Sequence, residues 1–130
     1  MATSCNTGYS EIAKALAGEA YDVFKYIGVG KGTGQGATHT KLSSECTETG
    51  LTRAAITPTS EKTTETDDTW QGINTFTATT TTTVTEAGAF NNATIDLGDM
   101  LMVGDLSPTA PMVKDDTLKV TLSVQLKASA

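Results

Sequence analysis

Strict alternation of apolar and polar residues near the C-terminus is the feature that most constrains the fold of this chain. The apolar members of the pattern are Leu118, Val120, Leu122, Val124 and Leu126, and each intervening residue is polar. Successive side chains of a β-strand point to opposite faces, so this period of two predicts a half-buried antiparallel strand. We therefore expect Val120, Leu122 and Val124 to lie in the core of a β fold.

Further strands are predicted upstream, where shorter alternating runs stand between turn-forming residues. The predicted strands are Phe24–Val29, Leu51–Thr57, Trp70–Thr80, Thr81–Phe90 and a segment from Ile95 and Leu97 through Met100–Val103. Threonine accounts for 26 of the 130 residues, and this β-branched side chain suits the exposed faces of strands. The composition and the alternation thus favour the same kind of structure.

The connections between these strands are predicted from their polar and turn-forming residues. Asn91–Asn92 and Asp115–Asp116 are predicted turns, and Ser107–Pro111 is predicted to be a rigid connection. Residues 58–69 carry almost nothing to bury, so we expect an exposed loop or hairpin tip at the outer surface.

A helix is predicted near the N-terminus, over residues 9–21. Ile12 and Leu16 stand at helical spacing, and Ser10 is placed to cap the first turn by accepting a hydrogen bond from a backbone amide. The apolar stripe is compatible with packing inside the domain and with assembly on a partner, and the pattern does not distinguish the two.

Together these elements predict a mainly β protein, an antiparallel β-sandwich or barrel-like domain with one short N-terminal α-helix. The chain of 130 residues has the length of a single domain, with an N-terminal helical arm (residues 1–23) and a β domain (residues 24–130). Apolar residues make up 38% of the chain and aromatic residues 5%. The core is therefore small, and the fold gains stability by burying surface against partners.

Composition argues against two classes of partner. The formal net charge of −6 opposes binding to nucleic acid, which needs clustered Lys and Arg. No apolar run approaches the roughly 20 residues of a membrane span, and no charged-then-apolar stretch predicts a secretory leader. We accordingly expect Cys5 and Cys46 to be reduced, partly buried thiols, while the sequence also allows a disulfide between them.

Glycine occupies every second position from Gly28 to Gly36. The part from Gly32 to Ala37 matches a loose dinucleotide-binding pattern, but no apolar helix follows it to direct backbone amides at a phosphate. We therefore expect a flexible connection or an inter-subunit packing segment, in which missing side chains allow close backbone approach.

Residue patterns predict no catalysis, cofactor or metal ion. His39 and Cys46 lie in one polar region, but no third residue is placed to orient such a dyad, so a surface histidine is expected. Three acidic groups lack the spacing of a calcium loop and are expected to form solvated turns: Asp67–Asp68, Asp96 with Asp99, and Asp115–Asp116. We expect a protein that is not an enzyme.

The run Glu86–Asn91 (Glu-Ala-Gly-Ala-Phe-Asn) is the most distinctive motif. Glu86 is expected to close a strand, and Gly88 to permit a bulge or a positive φ. Phe90 is expected to anchor the core, and Asn91 to begin the next turn. Glu86 is also predicted to form a structural ion pair with Arg53. The motif is thus expected to serve the architecture and not a binding site.

With its surroundings, this run resembles short virion structural proteins of tailed bacteriophages, of the tail-fibre-like and capsid decoration kinds. The segments that match in order are Ile27–Gly30, Leu42–Glu45, Leu51–Arg53, Thr75–Phe76, Glu86–Asn91, Met100–Met102 and Leu118–Leu122. The resemblance covers residues 26–127.

The resemblance implies a non-enzymatic virion protein made in the host cytoplasm, and best a capsid decoration (cement) protein on the outer shell of the head. It implies a homo-oligomer, with a trimer favoured, whose partner is the major capsid protein or a tail component. A tail, baseplate or fibre-attachment protein is the alternative within this class. A small-ligand or carbohydrate-binding β-sandwich module is the alternative from another class, although the chain has few aromatic residues for a sugar platform.

Overall fold

The computed structural model of the chain describes residues 2–34 and 36–126. Within these residues, two antiparallel sheets pack as a sandwich, with one helix near the N-terminus. The predicted fold class is confirmed as a sandwich and not a barrel, because the strands form two separate sheets.

The elements follow one another along the chain as β1 (Ala2–Ser4), α1 (Asn6–Ala17), β2 (Tyr26–Gly30), β3 (Ala54–Ala55), β4 (Thr59–Glu61), β5 (Thr69–Thr77), β6 (Thr82–Phe90), β7 (Met100–Met112) and β8 (Thr117–Gln125). Sheet A has the strand order β1-β7-β6-β2-β3, and sheet B has the order β4-β5-β8. All pairs of neighbouring strands are antiparallel.

The last strand, β8, confirms the prediction made from its alternation. Val120, Leu122 and Val124 are buried, and the intervening Thr121 and Ser123 are exposed. All nine residues of β8 pair with β5 in one uninterrupted register. The period of two therefore placed the apolar face of this strand against the core, as the geometry of a pleated strand requires.

β7 is longer than predicted, because it includes Ser107–Pro111, which we expected to be a connection between strands. A register shift between Val84 and Glu86 on β6 leaves residues 106–109 of β7 opposite Thr85 alone. This bulge accommodates a proline inside a strand, because residues in a bulge do not donate to the ladder.

Two other predictions along the chain need correction. Of Leu51–Thr57 only the two residues of β3 pair, and Ile95 and Leu97 lie in the loop that precedes β7. Residues 58–69 contain the short strand β4, and positions 59 to 67 are all exposed, which agrees with the expected hairpin tip.

The helix begins and ends earlier than predicted. Cys5 occupies the N-cap position, so Ser10 lies inside the helix and does not cap it, and Gly18 ends it with a left-handed φ of 75°. The buried helical residues are Gly8 and Glu11, whereas Leu16 of the predicted apolar stripe is 86% exposed.

Helix α1 approaches β7 through Gly8, while Ile12 of the predicted apolar stripe is partly buried against the main core. A Cβ at Gly8 would lie 2.8 Å from the Cα of Leu101, so the missing side chain allows the helix to approach the strand closely. β1 pairs with β7, from Ala2↔Gly104 to Ser4↔Met102. The N-terminal residues therefore belong to sheet A and do not form an arm separate from the β domain.

Sheet A lies between two apolar clusters. The main core fills the space between the two sheets and includes Ile27, Val29, Phe76, Val84, Ala87, Ala89, Val120, Leu122 and Val124. The second core is smaller and consists of Cys5, Leu42, Phe90, Met100 and Val103. Because side chains alternate along a strand, the two cores lie on opposite faces of sheet A.

Candidate functional site

Three charged side chains are buried beside the second core. Glu45 and Arg53 lie in the long segment between β2 and β4, and Glu86 lies on β6. We call this group the polar layer: Glu45, Arg53 and Glu86 with the glycines Gly28 and Gly30 of β2 that face them. Since a buried charge is costly unless it is paired, the partners of each group decide what the layer can do.

Arg53 and Glu45 form a two-point ion pair with both side chains only 1% exposed. Arg53 Nε donates to Glu45 Oε2 at 2.9 Å, and Arg53 Nη2 donates to Glu45 Oε1 at 2.7 Å. Arg53 Nη1 donates to the carbonyl oxygens of Asn92 and Leu97, each at 2.9 Å. The guanidinium also stacks on the ring of Phe90, with 3.6 Å from Cζ to the ring centroid.

This pair corrects the predicted ion pair between Arg53 and Glu86. The Glu86 carboxylate instead accepts hydrogen bonds from backbone amides, those of Gly32 at 3.2 Å, Ser44 at 3.0 Å and Ser43 at 3.4 Å. Sequence reasoning missed Glu45, which stands in a polar stretch without any periodic pattern that would predict its burial. The two glutamates therefore have different roles: Glu45 neutralises Arg53, and Glu86 binds the backbone of a loop.

The alternating glycines accommodate these carboxylates. A Cβ at Gly28 would lie 2.7 Å from Glu45 Oε2, and a Cβ at Gly30 would overlap Glu86 Oε1 and lie 2.8 Å from the carbonyl oxygen of Ser44. The expected flexible connection is therefore wrong for this part of the run, which is buried in β2. The glycines do allow close approach, as expected, but the groups that approach β2 belong to the same chain and not to another subunit.

The motif residues serve the architecture in ways that were only partly predicted. Glu86 lies in the middle of β6 and does not close the strand. Gly88 pairs with Gly28 in regular register, and the bulges lie at neighbouring steps; a Cβ at Gly88 would come within 3.1 Å of Met100 Sδ. Phe90 is fully buried in the second core, as predicted. Asn91 Oδ1 accepts the Asp99 amide at 2.7 Å, which supports the predicted turn.

His39 and Cys46 lie in different environments. His39 is exposed, and its Nδ1 accepts the backbone amide of Gly36 at 2.7 Å. Cys46 is fully buried, and burial raises the pKa of its thiol to about 12. Cys5 is also buried and free, with its pKa raised to about 11 by burial. Neither thiol is placed to act as a nucleophile, because the reactive form of cysteine is the thiolate.

The acidic groups form turns, as predicted, except that Asp99 is partly buried and not solvated as expected. Asp67, Asp96 and Asp115 have left-handed backbones, with φ of 59°, 68° and 73°. Asp68 Oδ2 accepts the amides of Thr64 and Glu65, and these backbone hydrogen bonds hold its pKa well below the usual range. Within residues 2–34 and 36–126, three or more His, Cys, Asp or Glu side chains nowhere converge as they would around a metal ion.

Exposed apolar side chains are concentrated near the N-terminus. Tyr9, Leu16, Tyr21 and Val23 are exposed, and we call them the N-terminal apolar residues. Tyr9 and Leu16 are seven positions apart on α1, so they lie on the same side of the helix. Tyr21 and Val23 instead line a cavity of about 190 Å³, together with Ile12, Ala15, Phe24 and Trp70, among others. The four N-terminal apolar residues are half of the large apolar side chains that are exposed in the described residues; the others are Ile73, Leu97, Val113 and Leu126.

Comparisons with known proteins add no assignment to this geometry: no protein-family model matches the chain, and no curated protein matches it significantly. In the part of the chain that the structure describes, the helix is neither long enough nor apolar enough to cross a membrane. The polar layer and the N-terminal apolar residues are therefore the features from which a function must be argued.

Proposed function

We propose that this chain is a non-enzymatic virion structural protein, a capsid decoration protein that binds the outer shell of a tailed phage head. The proposal starts from the resemblance of the segment around Glu86–Asn91 and its flanking strands. The structural observation that carries it is the exposure of the N-terminal apolar residues, which favours an attachment surface.

Apolar side chains that remain in water cost free energy. Leu16 is 86% exposed, and Tyr9, Tyr21 and Val23 are each 53% exposed, within fifteen residues of chain. Removing such a group from water is favourable, and contiguous exposed apolar surface marks interaction sites on soluble proteins. We assign these residues to binding a shell protein that presents a complementary apolar face.

The ionisable groups support a structural role over a chemical one. Arg53, Glu45 and Glu86 are committed to hydrogen bonds inside the chain, and both thiols are buried. An active site needs a nucleophile or base that a substrate can reach. The polar layer instead fixes the loop between β2 and β3 onto sheet A, which suits a rigid building block.

The proposal is tested by locating the chain on virions whose genome encodes it, using antibodies raised against the exposed loop 59–67 and electron microscopy. Antibody label over the head supports a decoration protein. Label confined to the tail contradicts that assignment and supports the tail or baseplate alternative. Finding no copy of the chain in the virions would contradict the proposal.

The attachment surface is tested with Leu16→Asp, which changes an exposed side chain and leaves the fold intact. Loss of binding to shells that lack the protein is expected. Ile73→Asp is the matched control, because Ile73 is also an exposed apolar residue but lies on β5, far along the chain from the helix. Equal binding by both variants and the parent would contradict the assignment of this surface.

A further inference from the structure

The outer edge of sheet B is a long strand without a neighbour. Within the described chain, β8 pairs with β5 and with no other strand, along nine residues. The other three edge strands are short: β1 and β4 have three residues each, and β3 has two. A long edge presents a row of unpaired backbone N–H and C=O groups, which is a template for another strand, whereas a short edge presents only a few such groups.

β8 also lacks the features with which proteins protect a sheet edge. Its sequence, TLKVTLSVQ, contains no proline and a single charged residue, Lys119. Its register with β5 runs without a bulge. In contrast, β7 contains prolines and a bulge. Charges, prolines and bulges are the usual devices against edge-to-edge pairing, so β8 is open to it.

An apolar groove lies beside this edge. It has a volume of about 300 Å³ and lies between β8 and the bulged part of β7, with Leu106, Leu118 and Leu122 in its lining. Leu106 and Leu118 are only partly buried within the single chain. A strand added to β8 would satisfy its backbone groups and cover these side chains in one step.

We propose that β8 pairs antiparallel with β8 of a second copy of this chain, about a two-fold axis that passes through Thr121. Thr121 is the central residue of the strand, so this register overlaps all nine residues. Lys119 of each copy then faces Ser123 of the other, and Thr121 faces its own counterpart. Moving the axis to Lys119 would instead place two lysines opposite each other, which is destabilising.

A second copy fits this edge because the strand is complementary to itself. In the proposed register the apolar residues of both strands point to the same side, since paired residues share a face of the sheet. The contact is isologous, so each patch serves both copies. Sheet B of each copy then becomes half of one continuous sheet. The inference does not depend on a virion role, and a trimer on a shell would need a different surface.

Cross-linking tests the register directly. Cα atoms directly opposite in an antiparallel pair lie about 4.5–5.5 Å apart, within the range that a disulfide spans, so Thr121→Cys is expected to form an intermolecular disulfide under mild oxidation. Thr75→Cys is the control, since Thr75 is exposed on β5 and the two copies of Thr75 would be about 20 Å apart, three strand spacings sideways and four residues along the strand. The native thiols are buried and do not interfere. Cross-linking at the same rate in both variants, or in neither, would overturn the proposal.

Charge substitution tests it in solution by sedimentation. Ser123→Glu, opposite Lys119, is expected to tighten the dimer, and Ser123→Lys to weaken it, each by about two- to thirty-fold in Kd from two symmetry-related pairs. Thr83→Glu on β6 is the matched control, because Thr83 is exposed and distant from the edge. Opposite shifts for the two Ser123 variants support the pairing. A monomer at all concentrations, or an oligomer indifferent to both changes, contradicts it, whether or not the chain binds a shell.

Discussion

The two faces of β2 show how differently one strand can be buried on its two sides. Ile27 and Val29 project into the main core and fill space among apolar side chains. Gly28 and Gly30 project toward the polar layer, where the carboxylates of Glu45 and Glu86 occupy the space that side chains would need. Both faces exclude water, but one excludes it with apolar volume and the other with satisfied charges.

This difference has energetic consequences. Apolar burial is non-directional, so the main core responds to lost volume in proportion to what is removed. A buried charge depends on specific partners, and the loss of one partner leaves the other uncompensated. Substitutions on the two faces should therefore fail for different reasons, and the predictions that follow measure this contrast.

The largest effect is expected for Arg53→Ala, which leaves the Glu45 carboxylate buried without its partner. Breaking a buried pair costs about 3–5 kcal/mol in the free energy of unfolding, measured by urea denaturation. Lys31→Ala is the control, since the Lys31–Glu48 pair at 3.0 Å is partly exposed and its loss should cost at most about 1 kcal/mol. Replacing Arg53 and Glu45 together by methionine should recover most of the loss. Equal costs for the two single variants would mean that burial of the pair is unimportant.

On the apolar face, Ile27→Ala is expected to cost about 2–5 kcal/mol, because Ile27 is fully buried and its removal leaves a cavity. Ile27→Val removes less volume and should cost about 0.5–1.5 kcal/mol in the same measurement. A loss of unfolding free energy that does not scale with the volume removed would show that strain or polar contacts, and not packing, determine the stability of this face.

A smaller loss is expected for Gly30→Ala, about 1–3 kcal/mol, because the new methyl group would overlap the Glu86 carboxylate. Gly36→Ala is the matched control from the same glycine run, since the nearest atom to a Cβ there is His39 Nδ1 at 3.8 Å. Thermal unfolding of the two variants would separate them. Similar melting temperatures would show that the run tolerates side chains and that the layer is loosely packed.

The smallest effect concerns Asp99, whose pKa is raised, first by burial and then by the neighbouring Glu11 carboxyl. The Lys14 ammonium holds the pKa of Glu11 low, so Glu11 is the charged member of the two. A raised pKa in the folded state contributes stability below the ordinary aspartate value, and this contribution is lost as pH rises through the raised pKa. Asp99→Asn should therefore be more stable than the parent at pH 7.

The check is the pH dependence of the melting temperature. The advantage of Asp99→Asn should shrink below about pH 4, where the parent aspartate is protonated even in the unfolded chain. Asp96→Asn is the control from the same loop, because Asp96 is exposed. An advantage that persists unchanged at low pH would show that the amide acts through hydrogen bonding and not through charge.

The outcome of sequence prediction follows the same division between the two faces. Alternation predicted the burial of Val120, Leu122 and Val124, because that face meets an apolar core. It did not predict the pairing of Arg53 with Glu45, because Glu45 lies in an aperiodic stretch and the path of the chain between β2 and β4 is set by hydrogen bonds to Glu86 and Asn92. A local pattern of apolar and polar residues shows which face of a strand or helix is buried only where that face meets apolar neighbours.

The helix and β7 show the same limit in another form. Leu16 stands at the correct spacing for a buried stripe but is exposed, whereas Gly8 lies against Leu101 of β7, because its missing side chain allows close backbone approach. The prolines of Ser107–Pro111 are typical of a connection, but both lie within β7: Pro108 in the bulge and Pro111 opposite Thr83. Tertiary neighbours overrode the local preference in both places.

A mainly β chain, the facing of its last strand and the position of the Phe90 anchor could be derived from residue order alone, since they depend on the pleat of a strand and on apolar burial. Tertiary structure decided which carboxylate meets Arg53, why glycines alternate along β2 and which strand is left at an edge. These features depend on contacts between segments distant along the chain. No local period encodes such contacts, because hydrogen bonds and ion pairs are satisfied by position in space and not by spacing in sequence.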